Sequence, residues 1–118
     1  MKILIVDDSE EFLSALQDTV EGLGHSVITA NSHASGLNAF SQHRPEMVFT
    51  DLRMGGKGRA GLWLLLDIKD SDHPEVPVVI MSDDFPDGFT ERVRQRGAKA
   101  VLEKSRMEPD LLKSLIED

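Results

Sequence analysis

A chain of 118 residues, 40% of them hydrophobic, can bury one sizeable core and fits a single domain spanning residues 1–118. Its 21 acidic and 13 basic residues leave a net charge of −8, which argues against direct nucleic-acid binding because phosphate neutralisation needs clustered Lys and Arg; solubility accounts for most of the acidity. The absence of cysteine excludes disulfides and thiolate metal sites, and no apolar stretch approaches the roughly 20 residues needed to cross a bilayer, so neither a membrane nor a signal segment is expected and the chain is read as cytoplasmic.

The apolar run Ile3 to Val6 predicts a first strand, ending at the adjacent carboxylates Asp7 and Asp8. Phe12, Leu13, Leu16, Val20 and Leu23 then recur at helical spacing, with Ser9 placed to cap the start and Gly22 and Gly24 to stop the helix. Ser26 to Ala30 reads as a second strand. A second helix is predicted over Ser32 to Gln42, burying Ala34, Leu37 and Phe40 and ending before Pro45. The third strand, Met47 to Thr50, ends in Asp51. A heavily apolar helix follows over Gly61 to Lys69, and Trp63 within it is expected to pack in the core. Val78 to Met81 forms a fourth strand ending in Ser82, and a polar helix over Asp87 to Arg96 turns only Phe89 and Val93 inward. A fifth strand over Lys99 to Leu102 is followed by Lys104, and a last helix over Pro109 to Glu117 presents Leu111, Leu112, Leu115 and Ile116.

Strands and helices in strict alternation imply a parallel α/β sheet covered on both faces. In such a sheet the carboxyl ends of the strands border one crevice, so Asp7, Asp8, Asp51, Ser82 and Lys104 should converge there. Each has a bland alternative: an Asp after a strand is often a turn or cap residue, a lone Ser a turn residue, a lone Lys a solvated charge. Capping needs only one of Asp7 and Asp8, however, and glycines rather than a helix follow Asp51. Joint placement at four strand ends therefore favours a divalent-metal site beside an acceptor carboxylate.

Those five residues, in that order, are where the chain resembles the receiver domains of two-component response regulators, over essentially its whole length. The resemblance implies a doubly wound, five-stranded parallel sheet of flavodoxin-like type. It implies that Asp51 takes a phosphoryl group from a phosphohistidine, with Ser82 and Lys104 holding phosphoryl oxygens. Mg²⁺ would be held by Asp8 and Asp51 directly, by Asp7 through water and by the backbone carbonyl of Arg53. Partners would be a histidine kinase or histidine phosphotransfer protein on one side and an effector domain or output protein on the other. The chain would then be a phospho-accepting signalling module, catalysing only its own phosphorylation and dephosphorylation. It could be a stand-alone regulator or the receiver of a longer one.

Four departures from the family pattern bear on function. Gly55 stands where receivers usually carry proline, and Gly61 comes about two residues late, which predicts a longer rim beside Asp51. The family's switch aromatic is replaced by Val101, and its proline after the lysine by Ser105. Val101 has no ring to swing when the hydroxyl at Ser82 moves, so a constitutive interaction domain of pseudo-receiver type is the alternative reading. Arg53 and Asp84 are expected to face each other across the crevice mouth, where a pair would shield the acyl phosphate from water and modulate its hydrolysis. The surface of the last two helices, with Glu91, Arg92, Arg94, Arg96, Lys99 and Glu103, is either a homodimer face or a solvated one.

Other motifs carry less. His25, His33, His43 and His73 lack ligand-like spacing and read as surface residues. The segment from Gly55 to Gly61 lacks the Gly-Lys-Ser/Thr ending of a P-loop. A flavin carrier would want a glycine- and hydroxyl-rich loop where Asp7 and Asp8 stand, and an aspartate-based phosphohydrolase would want an Asp at position 9, which is Ser.

Overall fold

The computed structural model describes residues 1–53, 60–85 and 88–117. Five strands, β1 (Lys2–Val6), β2 (Ser26–Ala30), β3 (Met47–Asp51), β4 (Val78–Ser82) and β5 (Ala100–Glu103), pair in parallel in the order β2-β1-β3-β4-β5. Between and after them come α1 (Glu10–Gly22), α2 (His33–His43), α3 (Ala60–Lys69), α4 (Phe89–Gln95) and α5 (Pro109–Glu117), with a 3₁₀ turn at Lys104–Arg106.

Strand periodicity divides the core into two layers. Leu4, Val6, Val48, Val78 and Ile80 point to one face and meet Phe40 of α2, Leu64, Leu65 and Ile68 of α3, and Phe89 and Val93 of α4. Ile3, Ile5, Met47, Phe49, Val79 and Met81 point to the other and meet Leu16 and Val20 of α1 and Leu112 and Ile116 of α5. β3 and β4 are buried along their whole length, as expected for strands covered on both sides. Each fully buried side chain of this kind contributes roughly 1.5–3 kcal/mol.

Helix starts follow local hydrogen bonding. The Ser9 hydroxyl accepts from the Phe12 N–H, and Ser32 with Ser35 forms a reciprocal capping box at α2. Helix α4 begins later than Asp87, a residue outside the described set, and its first residue is preceded by Gly88 at φ 76°. Lys69 at the end of α3 donates to the carbonyls of Pro74 at 2.9 Å and Val76 at 3.1 Å, tying α3 to the entry of β4.

The packing corrects three expectations. Ala34 is exposed, and the contact of α2 with the sheet is made by Gly36, where a Cβ would stand 3.1 Å from both Val6 methyls. Leu111 lies outward, leaving Leu112 and Ile116 as the buried face of α5. Trp63 is 63% exposed rather than in the core, because the buried flank of α3 is filled by Gly61, Leu64, Leu65 and Ile68, and position 63 falls on the opposite side of the turn. Trp63→Ala is accordingly expected to change stability by no more than about 0.5 kcal/mol, read from urea unfolding midpoints.

Candidate functional site

Strand register assembles the site. Val6 of β1 pairs with Thr50 of β3, so Asp7, one residue on, stands level with Asp51. Asp51 pairs with Met81 and Ser82 with Glu103, which sets Ser82 and Lys104 each one residue further along the neighbouring strands. The expected convergence of carboxyl ends is thus a consequence of stagger across four parallel strands. The Leu52 N–H donates to the Met81 carbonyl at 2.8 Å and holds the end of β3 against β4.

Asp7 is fully buried. Its Oδ1 accepts from the Ser9 N–H at 2.9 Å, a turn contact, while its Oδ2 lies 2.8 Å from Lys104 Nζ. That distance is typical of a charge-assisted pair, although the ammonium approaches Oδ2 off the line of an ideal hydrogen bond. Lys104 Nζ is also 3.4 Å from Asp51 Oδ2, so one cation spans two carboxylates. Its side chain is only 12% exposed. Burial alone would lower the Lys104 ammonium, but hydrogen bonding to Asp7 and the charges of Asp51 and Asp7 outweigh it and raise its pKa.

Asp51 is pushed up to about 6, first by burial and second by the Asp7 charge; Lys104 and the Arg53 backbone N–H offset part of this. Asp8 is exposed at the rim. One carboxylate oxygen from each of Asp7, Asp8 and Asp51 lies within 4.8 Å of the others, an all-oxygen donor set suited to a hard divalent cation such as Mg²⁺. Lys104 lies against two of these carboxylates, Asp7 and Asp51, and the mutual repulsion that raises Asp51 is what a further cation at this all-oxygen set would relieve.

A sign follows for pH. Without a cation, the folded state holds the Asp51 proton more tightly than the unfolded chain does, so this group's contribution to stability is fully present below the ordinary carboxylate pKa of about 4 and is lost as pH rises through about 6. Cation binding needs the ionised form. Calorimetric titration with Mg²⁺ is therefore expected to show affinity falling as pH drops through about 6, with proton release on binding near that pH.

Ser82 is 3% exposed at the end of β4, beside this cluster in strand order. Val101 pairs with Ile80 and packs, half-buried, against the core layer that includes Phe89. Arg53 and Asp84 are both exposed, and among the described residues no ion pair joins them. The predicted rim from Gly55 to Arg59 lies outside the described residues. His33 pairs with Asp67 at 2.8 Å and His73 with Glu75 at 3.5 Å, both away from the crevice, and His25 is half-buried.

Two contributors escaped the sequence reading. The Phe12 ring lies with its centroid 4.6 Å from Lys104 Nζ, a cation–π contact that covers one side of the ammonium. Its position in the first turn of α1, immediately after the two aspartates, was the available signal. Gly61 is the second: a Cβ there would stand 2.0 Å from the Asp51 carbonyl oxygen. The late glycine is thus a close approach of α3 to the end of β3.

Comparison with known proteins agrees with this geometry. Residues 3–116 match the response regulator receiver domain family. The chain is 35% identical over 102 residues to the nitrogen assimilation regulatory protein NtrX of Azorhizobium caulinodans, covering 86% of this chain and 22% of that protein. It is 25% identical over 114 residues to the polar-differentiation response regulator DivK of Brucella anthropi, covering 96% of this chain and 91% of DivK. Among solved structures, a response regulator receiver domain protein from Clostridium thermocellum superposes with a TM-score of 0.86 at 28% identity, covering 98% of this chain and 90% of that one. The receiver domain of NtrX from Brucella abortus gives 0.84 at 32%, covering 98% and 94%. The chain belongs to the response regulator receiver domain family, the signalling modules of two-component systems.

Proposed function

We propose that residues 1–118 form a single receiver domain in which Asp51 is the phosphoryl acceptor. The observation that carries this reading is the buried Asp51 carboxylate with Asp7 and Asp8 oxygens within 4.8 Å and the Lys104 ammonium 3.4 Å away. An Asp51 oxygen attacks the phosphorus of a phosphohistidine in line; the new P–O bond forms as the P–N bond breaks, and its electron pair leaves with the imidazole. Lys104 moves its contact from the Asp51 carboxylate to a phosphoryl oxygen, and Ser82 donates to another. Mg²⁺, held by Asp8, Asp51 and the Arg53 carbonyl, would neutralise charge on the transferring group. Asp7, both of whose oxygens already have partners, acts through water. The phosphoryl donor is a histidine kinase or a histidine phosphotransfer protein, and the reader is an effector domain or output protein. Hydrolysis of the acyl phosphate by the same site returns Asp51, with Arg53 and Asp84 at the crevice mouth modulating its rate.

Intact mass after incubation with acetyl phosphate tests this. One added phosphoryl group is expected on the native chain with Mg²⁺, and none on Asp51→Asn or after chelation. An adduct that persists on Asp51→Asn would overturn the assignment.

A second reading, a constitutive interaction domain, draws on Val101. A half-buried aliphatic side chain already packed on the core has no ring to exchange between two positions. If a phosphoryl mimic shifts amide resonances only around Asp51 and leaves β5 and α4 unmoved, this second reading is preferred. A homodimer through the last two helices belongs to the signalling reading and predicts a mass that rises with concentration and with the mimic.

A further inference from the structure

We propose that the face formed by α3 and α4 docks an acidic, amphipathic helix of a partner protein. Phe89, Arg92, Val93 and Arg96 recur at intervals that bring them to one side of α4, and with Leu62 of α3 they line a groove between the two helices. Phe89 and Val93 are buried and form its floor, whereas Arg92 and Arg96 are exposed. Leu66, one turn beyond Leu62, is half-buried, and the exposed Trp63 is the next residue after Leu62 on α3, outside the groove itself. A groove between two helices with an aliphatic floor accepts a third helix through its apolar face.

Charge decides the chemistry of that helix. Among the described residues, Arg92 and Arg96 make no ion pair or side-chain hydrogen bond, although the chain as a whole carries −8. They stand one helical turn apart, the spacing of two carboxylates at i and i+4 on an apposed helix. An acidic segment would be repelled by most of this surface and attracted here, which steers it to one orientation. Nucleic acid would face the same overall repulsion with two arginines to offset it. Arginine at the edge of an apolar centre is also a residue type on which binding energy concentrates. The surface needs no phosphoryl group on Asp51, and its test is independent of that chemistry.

The chain's single tryptophan supplies the readout. A displayed library of random twelve-residue peptides is panned against the full chain, and enriched peptides are titrated while Trp63 emission is followed. The expected result is enrichment of peptides that combine Asp or Glu with Leu or Phe, each shifting Trp63 emission. Their affinity should fall at least tenfold in Arg92→Glu/Arg96→Glu, with Arg94→Glu, on the other side of α4, causing less than a threefold loss. Thermal midpoints of both variants within two degrees of the native chain would exclude misfolding as the cause. No enrichment, enrichment without acidic bias, or peptides that bind the double variant as well as the native chain would each overturn the proposal.

Discussion

Gly61→Ala is expected to destabilise the fold by about 3 kcal/mol or more, the largest effect of any conservative substitution considered. A Cβ at this position would lie 2.0 Å from the Asp51 carbonyl oxygen, 2.8 Å from its carbonyl carbon and 2.9 Å from the Leu52 Cα. All three are backbone atoms of the end of β3 and the residue after it, so no rotamer change can relieve the clash. The Gly61 N–H also donates to the Leu52 carbonyl at 3.0 Å, and separating α3 from β3 would break that bond. Since the displaced residue carries the central carboxylate, Mg²⁺ binding and phosphoryl acceptance should fail along with stability. Gly22→Ala is the control, because nothing lies within 4 Å of its built Cβ and it sits in a helix, where alanine is the better residue. Urea unfolding of the two variants should move in opposite directions or leave Gly22→Ala unchanged; equal losses would show that the close approach at Gly61 carries no special weight.

Lys104→Met should cost about 3–5 kcal/mol at neutral pH without Mg²⁺. Methionine keeps much of the stem but removes the charge that lies 2.8 Å from Asp7 and 3.4 Å from Asp51. Two buried carboxylates are then left facing each other with no cation between them. Two conditions should return part of the loss: saturating Mg²⁺, which supplies charge, and a pH below about 6, where Asp51 takes up a proton. Asp51→Asn should act in the opposite direction in the cation-free chain, raising stability by removing one of the repelling charges. Denaturation of the three proteins with and without Mg²⁺ checks both signs. A Lys104→Met chain as stable as the native one in the absence of Mg²⁺ would mean that the ion pairs contribute little.

The order of elements was legible because each strand is a short apolar run ended by a polar residue, and the carboxylates stood out because charge at a buried strand end needs an offset. What escaped was decided by approach in three dimensions. Leu62 to Leu66 is apolar without a break, so helical period could not say that Trp63 was the residue turned outward. At α2, alanine reads as a contact residue, yet the sheet takes Gly36, because the Val6 methyls leave no room for more. Phe12 was legible as a helix residue, but its place 4.6 Å from Lys104 Nζ depends on where β5 ends relative to α1, which no local pattern encodes.

The strand order also bears on how the chain is made. Asp7 and Asp51 come together once β1 and β3 pair, an event confined to the first half of the sequence, whereas the ammonium between them arrives from position 104 at the far edge of the sheet. Translation therefore delivers both carboxylates well before the ammonium that lies between them. Their repulsion opposes the pairing of β1 with β3, and docking of β5 brings the charge that offsets it. In this fold the strand made last brings the charge that the pairing of the first and third leaves unmatched.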